Sequence, residues 1–301
     1  PGGCASTREF AEGYSVSDCA QWLSQFDSGV MADMKLKEMG LSLSPPKATI
    51  SLQPDADHLI MDGDSVTGAR VSSEDAAAYR TFRQMMRRFA KVLKTLYHGR
   101  PPKLVEKNWT DRITLLKLGL GLKLLGKGHM QDLMRLALIN IYDVMNEYFN
   151  HSAIKSAVAI DAVTGTNMGP RSPNTVYSYL HRVTGEYLSG SGTTQVMGGM
   201  GALGDALAAS ATAAGVEIKL GAPVKSITKI EDKVSGIELT DGTQISSKVV
   251  VSSADPTTTF KTLLGYHHME AGTAKRVELY RNRSGTAKLH LALNGLPRFE
   301  G

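Results

Sequence analysis

A glycine-rich run near residue 200 is the first pattern in this chain with a chemical meaning. Gly199–Gly204 satisfies G-x-G-x-x-G, and Glu217 lies roughly where an acidic residue would bind the ribose of a dinucleotide. At such sites a strand runs directly into the glycines, which turn into a helix beneath a pyrophosphate. Residues 187–196 contain no apolar run, so glycines that let a helix pack closely are the simpler interpretation. An NAD-binding domain centred on Gly199–Gly204 is kept as an alternative.

Two other side chains could do acid–base chemistry. His181 and Tyr177 lie on one short segment, from which both could reach a substrate. A packed histidine beside surface tyrosines would give the same pattern. The chain has two cysteines, Cys4 and Cys19, and no Cys/His cluster with metal-ligand spacing. The sequence therefore predicts no metal site, and its cysteine usage fits a reducing compartment.

The composition is that of a globular protein with a core. Apolar residues make up 42% and charged residues 21% of the 301 residues, which excludes a disordered or collagen-like chain. The length predicts one large domain or two interlocked ones. No apolar stretch is long enough to span a membrane.

Positive charge is concentrated in residues 80–128, which contain 13 Lys and Arg against two acidic residues, while the whole chain has a net charge of +5. Apolar residues recur there at helical spacing: Phe82, Met85, Met86, Phe89, Val92, Leu93 and Leu96. Basic residues form a second stripe: Arg80, Arg83, Arg87, Lys91 and Lys94. Such a helix either packs with a solvated basic face or makes a peripheral membrane contact. No nucleic-acid-reading motif accompanies the charge, so nucleic acid is not an expected partner.

The remaining patterns predict a mixed chain. We expect a helix that ends near Gly40, short strands over 48–72 and helices over 73–150, with 133–149 buried on nearly every face. The predicted strands after the glycine-rich run are Val216–Leu220, Val224–Ile230, Val234–Leu239 and Gln244–Ser252. A last strand is expected at Lys288–Asn294, and Lys248–Val251 is typical of a buried strand in a parallel sheet.

Several short motifs, taken in order, resemble those of phytoene desaturase-like FAD oxidoreductases. They are Pro1–Thr7, Gly13–Tyr14, Val196–Leu207, Gly215–Ile218, Pro223–Ile227 and Val249–Pro256. Asp161–Gly165 and Pro173–Val183 point to one branch of that family. Because the resemblance covers nearly the whole chain in the right order, the ordered set is more specific than any single motif.

The resemblance implies FAD as the cofactor and assigns roles to particular positions. Gly2 and Gly3 match a glycine pair whose backbone approaches the FAD pyrophosphate and flavin, and Thr7 would lie near the same wall. Val224 matches a residue whose main chain contacts the adenine. Ser253 and Ala254 match the end of a strand that returns to the cofactor sheet.

The resemblance also implies the fold, a two-layer α/β FAD/NAD(P)-binding flavoprotein fold of the amine-oxidase and phytoene-desaturase (GR2-like) type. Residues 1–60 and 195–260 would belong to a discontinuous FAD-binding domain. Residues 61–194 would form a mainly helical substrate or membrane-contact domain, and residues 261–301 would form the start of a substrate-domain sheet. The family's G-x-G-x-x-G loop and its closing Gly-Asp segment are expected outside 1–301. The chain is therefore expected to be an internal fragment, truncated at both ends, that binds FAD poorly by itself.

The function implied is that of an FAD-dependent desaturase, dehydrogenase or isomerase acting on an apolar, isoprenoid or lipid-like small molecule. A chaperone that binds lipids or prenyl groups without a flavin is the alternative on the same fold, as in Rab GDP-dissociation inhibitors. Fold alone does not decide between the two. Bacterial cytoplasm and mitochondrial matrix both fit the cysteine usage.

Overall fold

The structure is a computed structural model that describes residues 2–54, 58–68, 70–97, 101–103, 108–190, 192–280 and 285–299. The chain forms two compact units, of which unit 1 comprises residues 1–216 and 284–301 and unit 2 comprises residues 217–283. Pro1 of the first family motif and parts of the basic stretch 80–128 lie outside the described residues.

Unit 1 begins with a hairpin where the sequence predicted a helix. A 3₁₀ turn at Gly3–Ala5 leads into the antiparallel strands β1 (Thr7–Ala11) and β2 (Tyr14–Ser17). The strands are joined through Gly13, whose φ is +76°, and a left-handed turn residue of this kind suits a tight hairpin. Before residue 73 the described residues contain one short α-helix, α1 (Ser28–Asp33), so the predicted helix is present but ends at Asp33, and turns occupy residues 34–40.

The predicted short strands over 48–72 are confirmed. They form an antiparallel sheet of three, with β3 (Thr49–Ser51), β4 (Leu59–Asp62) and β5 (Ser65–Thr67) in that order. The helices predicted over 73–150 are confirmed as α2 (Ser73–Tyr97), α3 (Trp109–Leu124), α4 (Lys127–Leu136) and α5 (Ile141–Tyr148). Two more helices lie beyond that range, α6 (Ser152–Val163) and α7 (Thr175–Ser189). Side chains from α2, α5, α6 and α7 form the main core beneath this sheet.

The apolar stripe of α2 is part of that core. Phe82, Met86 and Phe89 are completely buried, and the other members of the stripe are buried or half-buried. The basic stripe is not uniformly solvated, because Arg83 is only 7% exposed. The apolar face of α2 is therefore covered by protein, and it does not form the membrane-facing side that an amphipathic surface helix would need.

Residues 133–149 are less buried than predicted. Asn140 caps α5 by accepting a hydrogen bond from the Asp143 backbone N–H, and this divides the apolar run into two short helices. Leu136 is buried, whereas Met134 is 65% exposed. A short helix packs one face only, which is why the run is not buried all round.

A second, smaller core joins the start of the chain to the glycine-rich run. Leu23, Leu36 and Leu41 pack with residues from 196–206, which lead into and begin helix α8 (Gly201–Ala213). Single β-bridges link Leu23 to Thr194 and Leu43 to Val196. A discontinuous domain made from residues 1–60 and 195–260 needs such a contact, and the domain boundaries themselves stay a prediction.

Unit 2 is built on an antiparallel meander, as the sequence predicted. Strands β6 (Val224–Ile230), β7 (Lys233–Leu239) and β8 (Gln244–Ser246) lie in that order, so β6 is an edge strand of the sheet. A π-helical segment, Thr257–Leu264, and helix α9 (Ala271–Leu279) follow.

Two predicted strands and most of a third are absent from the residues that the structure describes. Residues 216–220, 248–252 and 288–294 are extended or irregular and pair with no described strand, whereas Ser247 still donates its N–H to the Ser235 carbonyl of β7 (2.9 Å). Val249 and Val251 are 72% and 92% exposed, so the prediction of a buried parallel strand at Lys248–Val251 is wrong for this structure. An apolar run becomes a buried strand only where neighbouring strands pair with it, and the described residues offer none here.

Candidate functional site

Unit 1 contains two adjoining cavities, which we call the groove. The first has a volume of about 640 Å³ and is lined by β3, β4, α2, α6 and α7. The second, of about 550 Å³, is lined by residues 21–25 together with α6, α7 and the segment that follows α6. Trp22, Asp161 and Arg182 line both cavities. The family branch motifs Asp161–Gly165 and Pro173–Val183 thus contribute to one wall of the groove.

A buried charged network stands at the first cavity. The Arg83 guanidinium donates to the Tyr179 hydroxyl (3.0 Å), to the Gly63 carbonyl (3.3 Å) and to the Glu186 carboxylate (2.9 Å). Burial alone would lower the pKa of Arg83, but Tyr179 and Glu186 outweigh it and raise that pKa. Burial raises the pKa of Tyr179 and of the neighbouring Tyr79. The cavity therefore presents a fixed guanidinium–carboxylate pair and protonated phenols.

Asp161 and Arg182 form a second pair, at the junction of the two cavities. Arg182 Nη1 lies 3.3 Å from Asp161 Oδ1. Burial raises the pKa of Asp161, and the positive charge of Arg182 opposes that rise. Arg182 Nε is buried with no hydrogen-bond partner among the described residues. An unpaired buried donor is costly, so this arginine is only partly satisfied by Asp161.

The structure brings the predicted catalytic candidates His181 and Tyr177 together, since both line the second cavity. His181 Nδ1 is in hydrogen-bond contact with the Tyr97 hydroxyl, and the two rings stack with centroids 5.3 Å apart. Burial, together with Tyr177, raises the pKa of Tyr97 to about 12. Sequence reasoning missed Tyr97, because it lies 84 residues from His181 and no local pattern joins them.

The N-terminal glycine pair presents bare backbone. Gly2 and Gly3 are exposed and have φ values of +110° and +52°. A Cβ on Gly3 would meet no atom within 4 Å, whereas one on Gly2 would lie 3.1 Å from the Ala5 carbonyl oxygen. Open space over a left-handed glycine is what the close approach of a pyrophosphate or flavin requires. Gly3 therefore fits the FAD role that the resemblance implies, whereas the Ala5 carbonyl lies in the space over Gly2, whose role stays a prediction.

Thr7 is hydrogen-bonded to the backbone of the glycine-rich run. Its Oγ1 accepts a hydrogen bond from the Gly201 N–H (2.8 Å), and Ser17 Oγ accepts one from the Met200 N–H (3.0 Å). A Cβ on Gly199 would collide with the Thr7 side chain, and one on Gly201 would be in tight contact with Thr7, at 3.0 Å from its Oγ1. These glycines thus allow the β1–β2 hairpin to pack against the start of α8. Thr7 supports the fold next to the Gly2–Gly3 loop, and its role in cofactor binding stays a prediction.

The same contacts disfavour the NAD-binding alternative. A dinucleotide site needs a strand directly before the glycines and free N–H groups at the start of the helix. Here a single bridge at Val196 and a turn precede Gly199, and the N–H groups of Met200 and Gly201 already bind hydroxyls.

The other predicted cofactor residues lie in unit 2. Val224 starts the edge strand β6 and is 36% exposed. Ser253 and Ala254 are exposed and precede the π-helical segment. The Ala254 backbone is already engaged, because its N–H donates to Ser252 Oγ (3.3 Å) and its carbonyl accepts from Thr259 Oγ1 (3.2 Å). Cofactor binding by these three residues stays a prediction. Glu217, from the NAD alternative, is exposed and lies 3.4 Å from the Lys219 ammonium.

The described residues offer neither a metal-binding cluster nor a membrane-spanning helix. They contain no group of three or more His, Cys, Asp or Glu side chains arranged to hold a metal ion. None of their helices combines the length and the apolar character needed to cross a membrane.

Solved structures share this fold. A putrescine oxidase variant studied for its cofactor binding superposes with a TM-score of 0.53 at 12% identity, over 92% of this chain and 55% of that one. An oxidoreductase from Methanosarcina mazei gives a TM-score of 0.51 at 15% identity, over 92% of this chain and 56% of that one. At such identities the likeness shows the fold alone, and it confirms the predicted α/β flavoprotein fold.

Curated relatives confirm the predicted branch. Pyridine nucleotide-disulfide oxidoreductase domain-containing protein 2 of Rattus norvegicus is 28% identical over 99% of this chain and 55% of its own length. Phytoene desaturase (lycopene-forming) of Pseudescherichia vulneris is 26% identical over 52% of this chain and 30% of its own length. This chain spans about half the length of the rat relative.

A family model decides the assignment. The model of the flavin-containing amine oxidoreductases matches residues 66–264, about two thirds of the chain. That range includes α2, α6 and α7, which line the groove, and the glycine-rich run. The match confirms, for the family, the predicted cofactor FAD and the predicted class of FAD-dependent oxidoreductase. The chain belongs to the flavin-containing amine oxidoreductase family.

Proposed function

We propose that the whole protein is an FAD-dependent oxidoreductase of the desaturase, dehydrogenase or isomerase type, and that this chain supplies its substrate groove and part of its flavin site. The family match over residues 66–264 carries this proposal, because it covers the helices that line the groove. When bound, FAD supplies the redox chemistry, and the protein supplies binding and orientation. Gly3, over which the space is open, would lie against the cofactor.

The proposed substrate is an apolar, isoprenoid or lipid-like molecule. Similarity to phytoene desaturases supports this class, including 42% identity over 74 residues to the neurosporene-forming enzyme of Rhodobacter capsulatus. The groove adds a constraint, because its lining includes the charged groups of Arg83, Glu186, Asp161 and Arg182. A pure hydrocarbon would desolvate these groups without pairing with them, at a cost of several kcal/mol. We therefore favour a substrate that joins an apolar chain to a polar group.

Acid–base chemistry at the substrate would fall to His181 and Tyr177. The Tyr97 hydroxyl occupies Nδ1 of His181, so Nε2 is the ring nitrogen left to hold or move a proton. Tyr177 is 42% exposed in the same cavity and can donate a hydrogen bond to a polar group of the substrate. Both roles require that the substrate binds in the groove.

The first test is the visible absorption spectrum of the purified full-length protein, with the present chain as a control. We expect the absorption bands of an oxidised flavin in the full-length protein and little or no flavin in the chain alone. A full-length protein that takes up no flavin from excess FAD would contradict the proposal and favour the lipid-binding chaperone.

A matched pair of variants tests the glycine pair. Gly3 and Gly13 both have positive φ values, and a Cβ at either would meet no protein atom within 4 Å. Gly3→Ala and Gly13→Ala should therefore strain the backbone comparably, whereas only Gly3→Ala should obstruct FAD. We expect Gly3→Ala to weaken FAD binding about tenfold or more, since overpacking by one methyl costs about 1–3 kcal/mol. Equal FAD affinity of the two variants would contradict the assignment of Gly3.

A further inference from the structure

Helix α3 exposes apolar side chains on the face that it turns away from the protein. Trp109, Ile113, Leu116, Leu120 and Leu124 follow one another at intervals of four and three residues, so they lie on one side of the helix. Their exposed fractions are 76%, 49%, 71%, 54% and 77%. We call these five residues the exposed stripe. Soluble monomers rarely leave a contiguous apolar patch of this kind uncovered, and such patches mark interaction sites.

The opposite face of α3 is already used for packing. Leu122 and Leu125 pack against the main core, and a Cβ on Gly121 would lie 3.3 Å from Val92 of helix α2. Both faces of α3 are therefore apolar. The inner face holds the helix on the protein, and the exposed stripe is open to solvent in the part of the chain that the structure describes.

Positive charge flanks the exposed stripe on both sides. At 100° per residue, Arg112 and Lys123 lie along one edge of the stripe and Lys117 along the other. The Arg112 guanidinium lies over the Trp109 ring at 5.3 Å. The acidic residue of this helix, Asp111, is only 2% exposed and caps the N-terminus together with Asn108. The outer surface of α3 is thus apolar in the middle and cationic at both edges.

We propose that the exposed stripe of α3 docks on the surface of an anionic lipid bilayer. Acidic headgroups complement the cationic edges, and the apolar centre can enter the boundary between headgroups and acyl chains. A second copy of this chain, docked through the same face by a two-fold axis, would place cationic edges against each other. With 16 residues the helix is about 24 Å long, so it lies along the membrane instead of crossing it.

This proposal places the predicted membrane contact of residues 80–128 on α3 and excludes α2 from it. The apolar stripe of α2 is buried in the main core, whereas the stripe of α3 is exposed. The proposal goes beyond the redox function and does not depend on it, because vesicle binding is measured separately from flavin content.

The test is flotation of the full-length protein with vesicles of phosphatidylcholine, with and without phosphatidylglycerol. Leu116→Gln with Leu120→Gln removes the centre of the stripe, and Lys117→Gln with Lys123→Gln removes charge from both edges. The control variant changes two exposed apolar residues of unit 2, Leu220→Gln with Ile230→Gln, which are 67% and 71% exposed. All six positions are exposed, so the variants are expected to fold.

We expect the wild-type protein and the unit 2 control to bind vesicles that contain phosphatidylglycerol. The leucine variant should bind about tenfold or more weakly, because it loses two inserted apolar side chains. The lysine variant should bind about 30-fold more weakly at low ionic strength and should lose most of its salt dependence. No vesicle binding by the wild-type protein, or binding unchanged in both variants, would overturn the proposal. A leucine variant that changes the oligomeric state and leaves vesicle binding intact would instead identify an interface between copies.

Discussion

Replacing Gly199 by alanine tests whether the glycine-rich run serves packing. Gly199 has a φ of +87°, and a Cβ there would overlap Oγ1 of Thr7 and lie 3.0 Å from its Cγ2. Gly198 is the matched control, because its φ is +81° and its nearest Cβ contact, with Ala202, is an ordinary 3.9 Å. The two variants therefore share the backbone strain and differ in the collision with Thr7.

The expected free energies follow from this difference. An alanine in the left-handed region costs about 1–2 kcal/mol, and this strain applies to both variants. The collision at Gly199 adds about 1–3 kcal/mol of overpacking. We expect Gly198→Ala to lower the free energy of unfolding by about 1–2 kcal/mol and Gly199→Ala to lower it by about 2–5 kcal/mol. Thr7→Ala in the Gly199→Ala background removes the obstructing atoms and should recover part of the additional loss.

Urea unfolding followed by tryptophan fluorescence is a suitable assay. The chain has two tryptophans, Trp22 and Trp109, and both belong to unit 1, so the signal reports on the unit that contains the glycine-rich run. The urea midpoints of the variants can be compared if the free energy of unfolding falls with urea concentration at the same slope in every variant. Equal destabilisation by Gly198→Ala and Gly199→Ala, or no recovery by Thr7→Ala, would refute the packing argument.

Two further predictions concern buried groups of unit 1. Thr175→Val should lower the free energy of unfolding by about 1–3 kcal/mol, because the buried Thr175 hydroxyl accepts a hydrogen bond from the Ile141 N–H (2.8 Å). Thr175→Ser keeps the hydroxyl and should lower the free energy of unfolding less. Equal losses of the two variants in urea unfolding would contradict this prediction. The raised pKa of Asp161 means that its ionisation opposes folding, so its contribution to the free energy of unfolding falls as the pH rises above 3.8. Asp161→Asn should therefore gain stability relative to the wild type as the pH rises above 3.8, and a constant difference in unfolding midpoint would contradict this.

The fold was predictable where a local pattern decides the structure. The apolar stripe of α2 predicts the buried face of a long helix, and the predicted strands Val224–Ile230 and Val234–Leu239 match β6 and β7 to within one residue. The prediction failed where the outcome depends on neighbouring strands. Val251 has the composition of a buried strand but is 92% exposed, because no described strand pairs with it. Near the N-terminus the short β1–β2 hairpin was missed, although the dipeptide Glu12-Gly13 offered a turn signal.

The candidate site was predictable only in part. His181 and Tyr177 lie close together in the sequence, so a shared cavity could be anticipated. The contact with Tyr97 depends on how α2 packs against α7, and sequence spacing contains no information about it. Arg83 was grouped with the solvated basic stripe, yet it lies one helical turn from Tyr79, and that spacing was the available signal that it faces the groove.

The glycines of this chain show why a glycine motif does not by itself identify a nucleotide site. Gly199 and Gly201 match a dinucleotide fingerprint, but the space that a side chain would need there is occupied by Thr7. Gly3 belongs to a less specific pattern, yet the space over it is open and its φ is positive. Gly13 has the same openness in a hairpin turn, so open space is necessary for a cofactor contact and not sufficient. A glycine is therefore a candidate for ligand binding only when no protein atom explains the missing side chain, and a glycine such as Gly13 provides the control that separates ligand contact from backbone strain.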